Sequence, residues 1–598
     1  MIVRRIRWAL HVCAALAVAG LSAATGRPEE TSLGVEIREL RGGEELTLAF
    51  PQRDVQARWT PLAARAEFPW TASQGRIVSS GAGAMPFFAL VSQTDANRLT
   101  LVCSELVRPV ETVAFLKYED GAVFSVSVKM RDADTNHTCR VRLDWRDRPF
   151  SETVRDAADW LRAADTPRVI PPAAYEPQWN SWYAYQTGVT AADMAREGAA
   201  AAALGVKTLV YDMGWDRKGA LHSTSFRECG DWIPDAETFP DLPAHIAAQH
   251  ARGLKCLLWC GYPLMGERAR NLSRFRASLL RDKPDHRGCY TLDPGKEDVR
   301  RFVGDTLARA LTEWGADGFK IDFIQSFGAN GARSADVVRI QEEVRTRIAA
   351  AKPDALIEYM APYGGLAFHR YCTHVRAGDC PGDSVRNRWQ TVNLRLFCGT
   401  LPVHADMLTW DDSEAPETAA LQIISVLHAA LQFGRSLADM PPDHARMVAH
   451  WLRFAAEHRE TLQKGAFRPH GYTSGYPLIE METAAERIFT VHAPGCVVAT
   501  GALDRPVHVV NGTGEGFVVL DLPEKAQVAA FDTFGARVGT WTHPAGLVRQ
   551  PVPKGGRLVV DTAGGKFMSR HGRRDEAAET AAPHVATREC QAIAGAEL

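Results

Sequence analysis

The chain has 598 residues, 46% of them hydrophobic and 23% charged, with 69 basic against 71 acidic side chains. That is ordinary globular composition, which excludes a mainly disordered or collagen-like chain. The balanced charge argues against a nucleic-acid binder, and at about 100–200 residues per domain the length implies three or four domains.

The N-terminus carries Arg4, Arg5 and Arg7, then an apolar stretch from Trp8 to Leu21, then Ser22, Ala23 and Ala24. A basic start, a short apolar run and small residues make an export signal, so 1–24 is read as a signal peptide. Its removal takes away three positive charges. No other apolar run approaches the roughly 20 residues of a membrane helix, so no stable membrane insertion is expected after cleavage. The cysteines are scattered, without CxxC pairs or zinc-ligand spacing, and read as mostly buried free thiols. Cys103 with Cys139, and Cys229 with Cys260, are the candidate pairs.

From 32 to 165 apolar residues alternate with polar ones at 46–50, 98–102, 113–117, 124–129 and 139–144. Such runs are half-buried strands, and together they predict an N-terminal β-sandwich. A short helix is expected over 156–164. Pro167, Pro171, Pro172 and Pro177 then mark a linker.

From 178 to 460 the rhythm changes to strand, loop, helix. Strands are expected at 207–211, 254–259, 318–322, 355–359 and 373–376. Val299, Phe302, Val303, Leu307, Ala310, Leu311 and Trp314 fall at helical spacing before the third of these. About 280 residues of alternation predict a (β/α)₈ TIM barrel. A doubly wound sheet would want a Gly-rich phosphate loop after its first strand, and none is present. Alternation returns over 464–568, at 487–492, 496–500, 516–520, 528–532 and 557–561, predicting a small C-terminal β-sandwich. The charged, Ala-rich segment 569–598 reads as a disordered tail. The expected fold class is therefore multidomain α/β, a central TIM barrel flanked by two β-sandwiches.

Barrel enzymes carry their chemistry where strands reach the C-terminal face. The carboxylates at predicted strand ends are Asp212, Asp322, Glu358, Asp379 and Asp383, with Asp231 and Asp293 in nearby loops. Any one of them is as readily a helix cap as a functional group. The cluster is interleaved with Trp182, Trp215, Trp232 and Trp259, however, and acids beside aromatic faces suit a sugar. Two carboxylates suffice to cleave a glycosidic bond, one ionised and one holding a proton. Asp322 suits the first role, because Lys320 is two residues away on the same strand face and a nearby cation keeps a carboxylate charged. Asp379 suits the second, on a Gly- and Pro-containing loop beyond Arg376. Asp383 is its rival, and also a candidate cap for the helix that starts at Ser384.

Six pieces occur in order over roughly 200 residues: Trp179-Asn180-Ser181-Trp182, Tyr211-Asp212-Met213-Gly214-Trp215, Gly230-Asp231-Trp232 with Phe239-Pro240, Gly253-Leu254-Lys255 with Trp259, Phe319-Lys320-Ile321-Asp322, and Arg376-Ala377-Gly378-Asp379. In this the stretch resembles the barrel of glycoside hydrolase family 36, the melibiase-like α-galactosidases with their raffinose-synthase-like relatives. The resemblance implies a retaining mechanism with Asp322 as nucleophile and Asp379, or Asp383, as acid/base. It implies that Lys320 and Asp212 bond sugar hydroxyls and that Arg376, Trp215, Trp232 and Trp259 line the pocket. It implies an exported α-glycosidase acting on an oligosaccharide or polysaccharide with a terminal α-linked sugar, with no cofactor. A transglycosylase of the raffinose-synthase-like type and a non-catalytic carbohydrate-binding barrel are the alternatives.

The sequence also departs from the family. The paired acids before Gly-Trp are here Asp212-Met213. The Gly-rich segment reads Met360-Ala361-Pro362-Tyr363-Gly364-Gly365, and the W-x-E-P segment reads Trp259-Cys260-Gly261-Tyr262-Pro263, without its acid. Losing a buried hydroxyl recogniser shifts selectivity strongly, so the pattern fixes α-glycoside chemistry more firmly than galactose. No HxH motif is present, and His222, His369, His374 and His404 are separate, so no metal is expected. His404-Ala405-Asp406 follows a predicted strand and is the one place worth checking.

Overall fold

The computed structural model describes residues 34–564 except 82, 119–120, 133, 164–169, 218, 220–224 and 361–369. The signal segment 1–24, the tail 569–598, His222, His369, Pro167 and most of the Met360–Gly365 departure therefore lie outside the described residues. The fold class is the expected one: an eight-stranded parallel barrel sheet with antiparallel sheets before and after it.

The N-terminal region has a five-stranded and a four-stranded antiparallel sheet. The strand Val110–Lys117 alternates buried and half-buried along its whole length, as a strand with one face on a core must. Leu99, Leu101, Phe124, Val126, Val128, Val141 and Leu143 fill the space between the sheets. The helix after them spans Phe150–Arg162, six residues earlier than read from the sequence. Its first turns bury Phe150, Val154, Ala157 and Ala158.

The barrel strands, in chain order, are Gln178–Asn180, Thr208–Tyr211, Lys255–Cys260, Gly318–Ile321, Leu356–Met360, His374–Arg376, Val403–His404 and Gln432–Phe433. All pair in parallel, and a parallel bridge from His404 to Ala430 brings the last two strands together. The short helix Pro172–Tyr175 closes the N-terminal end, with Ala174 packed on Val210, Leu257 and Leu356.

After the barrel, a seven-stranded and a three-stranded sheet enclose Val498, Val509, Leu520, Val528 and Leu558. The helix Ser384–Cys398 is the keystone between the three parts: nearly every residue from Asn387 onward is buried. Asn393 Oδ1 accepts from Trp59 Nε1 at 2.7 Å and from Tyr476 hydroxyl at 2.6 Å, tying it to both flanking regions.

Among the described residues the cysteines are free and, except for Cys496, buried. The Cys103 and Cys139 sulfurs are 3.5 Å apart. No described helix is long and apolar enough to cross a membrane.

Candidate active site

Alternation along each barrel strand sends every second side chain inward. On the fourth strand that places Lys320 inside and Asp322 just past the strand's end. On the fifth it places Glu358 inside, on the sixth His374 and Arg376, and beyond the second and seventh Asp212 and Asp406. These residues are all buried, yet they lie far apart in the sequence. Closure of the barrel gathers them in its interior, with Asp212, Asp322 and Asp406 towards its C-terminal mouth.

Asp322 is held at both carboxylate oxygens. Trp259 Nε1 donates to Oδ2 at 2.9 Å, and the Phe323 backbone N–H donates to Oδ1 at 2.8 Å. Phe323 has φ 61°, a left-handed conformation uncommon for a bulky residue. That turn folds the amide back onto its neighbour's carboxylate. Trp232, with φ 51°, is a second such residue. It packs at 5.5 Å against Trp259, and Trp215 Nε1 donates to the Trp259 carbonyl at 3.0 Å. Strained backbone of this kind persists where surrounding packing enforces it.

Lys320 donates from Nζ to Asp212 Oδ2 at 2.5 Å, with both groups buried. The sequence put Lys320 on the face of Asp322; the structure gives its ammonium a bond to Asp212 on a neighbouring part of the barrel. Burial disfavours the Lys320 charge, but Asp212, then Asp322 and Glu358, outweigh it and raise its pKa. Asp212 is also fastened from behind. Its backbone N–H donates to Ser181 Oγ at 3.0 Å, and its Oδ1 accepts from Met213 N at 2.8 Å.

Arg376 was expected to line the pocket. It is instead fully buried and committed to carboxylates. It pairs with Asp406 through Nη1, reaches Asp379 Oδ1 through Nη2 at 3.0 Å, and lies 3.5 Å from Glu358 Oε1 through Nε. Asp379 is the exposed member, its side chain 50% accessible. Burial raises the Asp379 carboxyl, but Arg376 and Lys320 outweigh it and leave the group below the usual carboxylate range. Asp406 Oδ2 accepts from Tyr183 hydroxyl at 3.0 Å and from Cys380 N at 2.6 Å, fixing the loop that carries Asp379.

Asp383, the rival to Asp379, is at the N-cap of the helix Ser384–Cys398. Its side chain accepts from Arg386 N at 2.9 Å. Asp231 accepts from Arg270 N and Asn271 N, and Asp293 from Gly295 N, so both brace loops. Trp215, Trp232 and Trp259 are 2%, 1% and 1% exposed. They build the wall behind Asp322 and are not open platforms for a ring. Trp182, half-buried, has its backbone N–H held by Asn180 Oδ1 at 2.8 Å.

Tyr183 was missed in the sequence reading; its signal was a position just past the first strand, beside the noted Trp182. The pair Asp216–Arg217 was missed as well. It is a buried ion pair next to Trp215, with the Arg217 guanidinium 5.7 Å from the Trp259 ring.

The fold is that of the glycoside hydrolase family 36 α-galactosidases. The family 36 α-galactosidase AgaA of Geobacillus stearothermophilus, solved with 1-deoxygalactonojirimycin, superposes with a TM-score of 0.61 at 14% identity, covering 88% of this chain and 79% of that one. The α-galactosidase of Lactobacillus brevis gives 0.60 at 14% identity, covering 88% and 78%. In sequence, 202 residues are 28% identical to the bifunctional α-galactosidase/sucrose kinase AgaSK of Mediterraneibacter gnavus, 31% of this chain and 20% of that protein. A probable α-galactosidase G of Emericella nidulans is 23% identical over 289 residues, 44% of this chain and 34% of that protein. The chain thus spans between a fifth and about a third of the length of these curated relatives. No protein-family model matches it.

Proposed function

We propose that the chain is an exported retaining α-glycosidase of the α-galactosidase type. Asp322 is the nucleophile and Asp379 the acid/base. The observation that carries this reading is the convergence of both carboxylates, Asp322 buried and Asp379 half-exposed, on one charge network around Lys320. Lys320 is stabilised by Asp322 and itself lowers Asp379. The fold shared with α-galactosidases supports the substrate class, since AgaA structures hold raffinose and stachyose. Export rests on the N-terminal sequence pattern alone.

In the first step Asp322, aimed by Trp259 Nε1 and the Phe323 amide, attacks the anomeric carbon while Asp379 gives its proton to the leaving oxygen. In the second Asp379 takes a proton from water, which displaces Asp322 from the same face that the leaving group left. Retention by this route needs the two carboxyls about 5–5.5 Å apart. Asp379 is suited to switching because it is half-exposed, and a bound sugar strips its water and raises its affinity for a proton. The interior pair Lys320–Asp212 is placed to bond ring hydroxyls.

The test is hydrolysis of a panel of p-nitrophenyl α-glycosides. Asp322→Asn abolishes turnover. Asp379→Ala slows it by roughly 10²–10⁴-fold, less for good leaving groups, and azide partly restores it. Inactivity of the native chain on every α-glycoside, with sugar binding retained in calorimetry, overturns the reading in favour of a binding protein. Azide rescue of Asp383→Ala and not of Asp379→Ala overturns the acid/base assignment.

A further inference from the structure

Barrel interiors are normally filled by branched apolar side chains, and the lowest layer here obeys that rule with Val210, Leu257 and Leu356. The next layer does not. Gln178, Glu358, His374, His404 and Gln432 are all fully buried there. Strand register brings them together: Glu358 pairs with His374, and Arg376 with His404, across adjacent strands.

Hydrogen bonding fixes which imidazole nitrogens carry protons. His404 Nε2 lies 2.7 Å from the Ala174 carbonyl, which can only accept, so Nε2 is protonated and Nδ1 is a bare lone pair. That Nδ1 has no hydrogen-bond partner among the described residues. His374 Nδ1 lies 3.0 Å from Thr373 Oγ1, whose own proton goes to the Ile357 carbonyl at 3.2 Å. The His374 proton is therefore on Nδ1, and its Nε2 lone pair accepts from Gln178 Nε2 at 3.1 Å and lies 3.4 Å from Glu358 Oε2, which accepts from Gln432 Nε2 at 2.8 Å. The ligand atoms of Glu358, His374 and His404 all lie within 4.8 Å of one another. His404 Nδ1 and Glu358 Oε1 have no hydrogen-bond partner among the described residues, and acceptors left so in a dry interior are costly unless a cation sits beside them.

We infer that Glu358, His374 and His404 form a buried structural zinc site, a ligand set the sequence hid because its members are separate in the chain. Two imidazoles and one carboxylate suit zinc, whereas calcium and magnesium take oxygen ligands. Tetrahedral ligands stand about 3.4 Å apart when bonds are about 2.1 Å. The His374–Glu358 spacing is already of that size, and His404 closes the remainder by a ring shift. The contacts to Ala174 and Thr373 are the orienting bonds that metal-bound imidazoles usually make on their far nitrogen. Gln432 Oε1, a buried acceptor without a partner among the described residues, is the remaining donor at hand. Gln178 Nε2, now 3.1 Å from His374 Nε2, swings aside. With every ligand sealed from solvent, the metal enters as the barrel folds and leaves only as it opens.

The experiment uses the full chain and does not depend on its activity. Protein unfolded with a chelator is refolded with and without zinc, and metal content and melting temperature are measured. About one zinc per chain, released only on unfolding, with a melting temperature several degrees higher than the zinc-free protein, is expected. Cobalt refolded in its place gives the visible absorption of a tetrahedral ion. His404→Gln, or His374→Gln if the first does not fold, loses zinc and the cobalt spectrum. His458→Gln, in the separate cluster of His458, Glu486 and His508, keeps both. The inference is overturned if zinc neither binds nor changes the melting temperature, which leaves a buried water or a second proton among the lone pairs. It is equally overturned if the metal survives both barrel histidine variants or is lost with His458→Gln.

Discussion

Arg376 faces three carboxylates, Glu358, Asp379 and Asp406, and only Asp379 among them meets solvent. How tightly the guanidinium holds Asp379 depends on how much of it Asp406 engages. Asp406 is therefore a positioning residue for the proposed acid/base. In Asp406→Asn the amide oxygen still accepts from Cys380 N, but the negative charge is gone. Arg376 then stabilises ionised Asp379 more strongly, and the Asp379 pKa falls further. Because the acid must be protonated to start the reaction, the alkaline limb of kcat/KM moves to lower pH. A loss of up to about tenfold at neutral pH follows if that limb moves by a unit. A lower melting temperature with an unmoved limb shows Asp406 to be structural only. The sequence made Asp322 and Asp379 legible, because each follows a strand and has a cation two or three residues before it. It did not show that Arg376, expected to line the pocket, pairs with Glu358 and Asp406, because these lie 18 residues before and 30 after. Only closure of the barrel brings them to one guanidinium.

The loop after Arg376 carries two aspartates with separate duties, and the helix Ser384–Cys398 distinguishes them. Asp383 satisfies a free amide in that helix's first turn. Asp383→Ala costs about 1 kcal/mol of stability, read as a lower midpoint in urea, while turnover per folded molecule stays near native. The strand Gly318–Ile321, which leads to Asp322, has an opposite sensitivity. A Cβ added at Gly318 would come within 1.8 Å of the Leu356 carbonyl oxygen on the next strand. Gly318→Ala must therefore push the fourth and fifth strands apart, losing activity together with stability. Recovery of full activity at normal stability would show that the ladder relaxes there. The longer barrel strands were legible as apolar runs between helical patterns. Gln178–Asn180 and Gln432–Phe433 were not. They are two or three residues long, too short for a period, and they send Gln178 and Gln432 inward, against the usual hydrophobic signal.

The barrel and the C-terminal region meet around buried imidazoles, and this sets the molecule's response to acid. His450 lies in the helix Pro442–Glu457, next to Gly535 of the C-terminal region. Burial, then Arg557 and Arg453, push its pKa down to about 3. His428, stacked 5.5 Å from Phe467, and His492 are held well below the usual range, again chiefly by burial. In the unfolded chain each titrates near pH ~6.5. Between that value and the folded pKa the unfolded state binds more protons, so stability is whole above about pH 6.5 and is lost as pH falls. For His450 alone the loss at pH 5 is about 2 kcal/mol, a sizeable part of the ~5–15 kcal/mol that holds a typical protein folded. The proposed chemistry pulls the other way, because Asp379 gains its proton as pH falls. Initial rates should therefore keep rising at pH values where the enzyme no longer survives, and brief assays should give a more acidic optimum than long ones. His450→Leu removes one of the groups that must remain uncharged. Its melting temperature, followed from pH 7 to pH 4, should fall less steeply than the native chain's, whatever the offset at pH 7. Parallel curves over that range would mean that His450 is not part of the acid trigger, and that the junction of barrel and C-terminal sheets yields to acid through other groups.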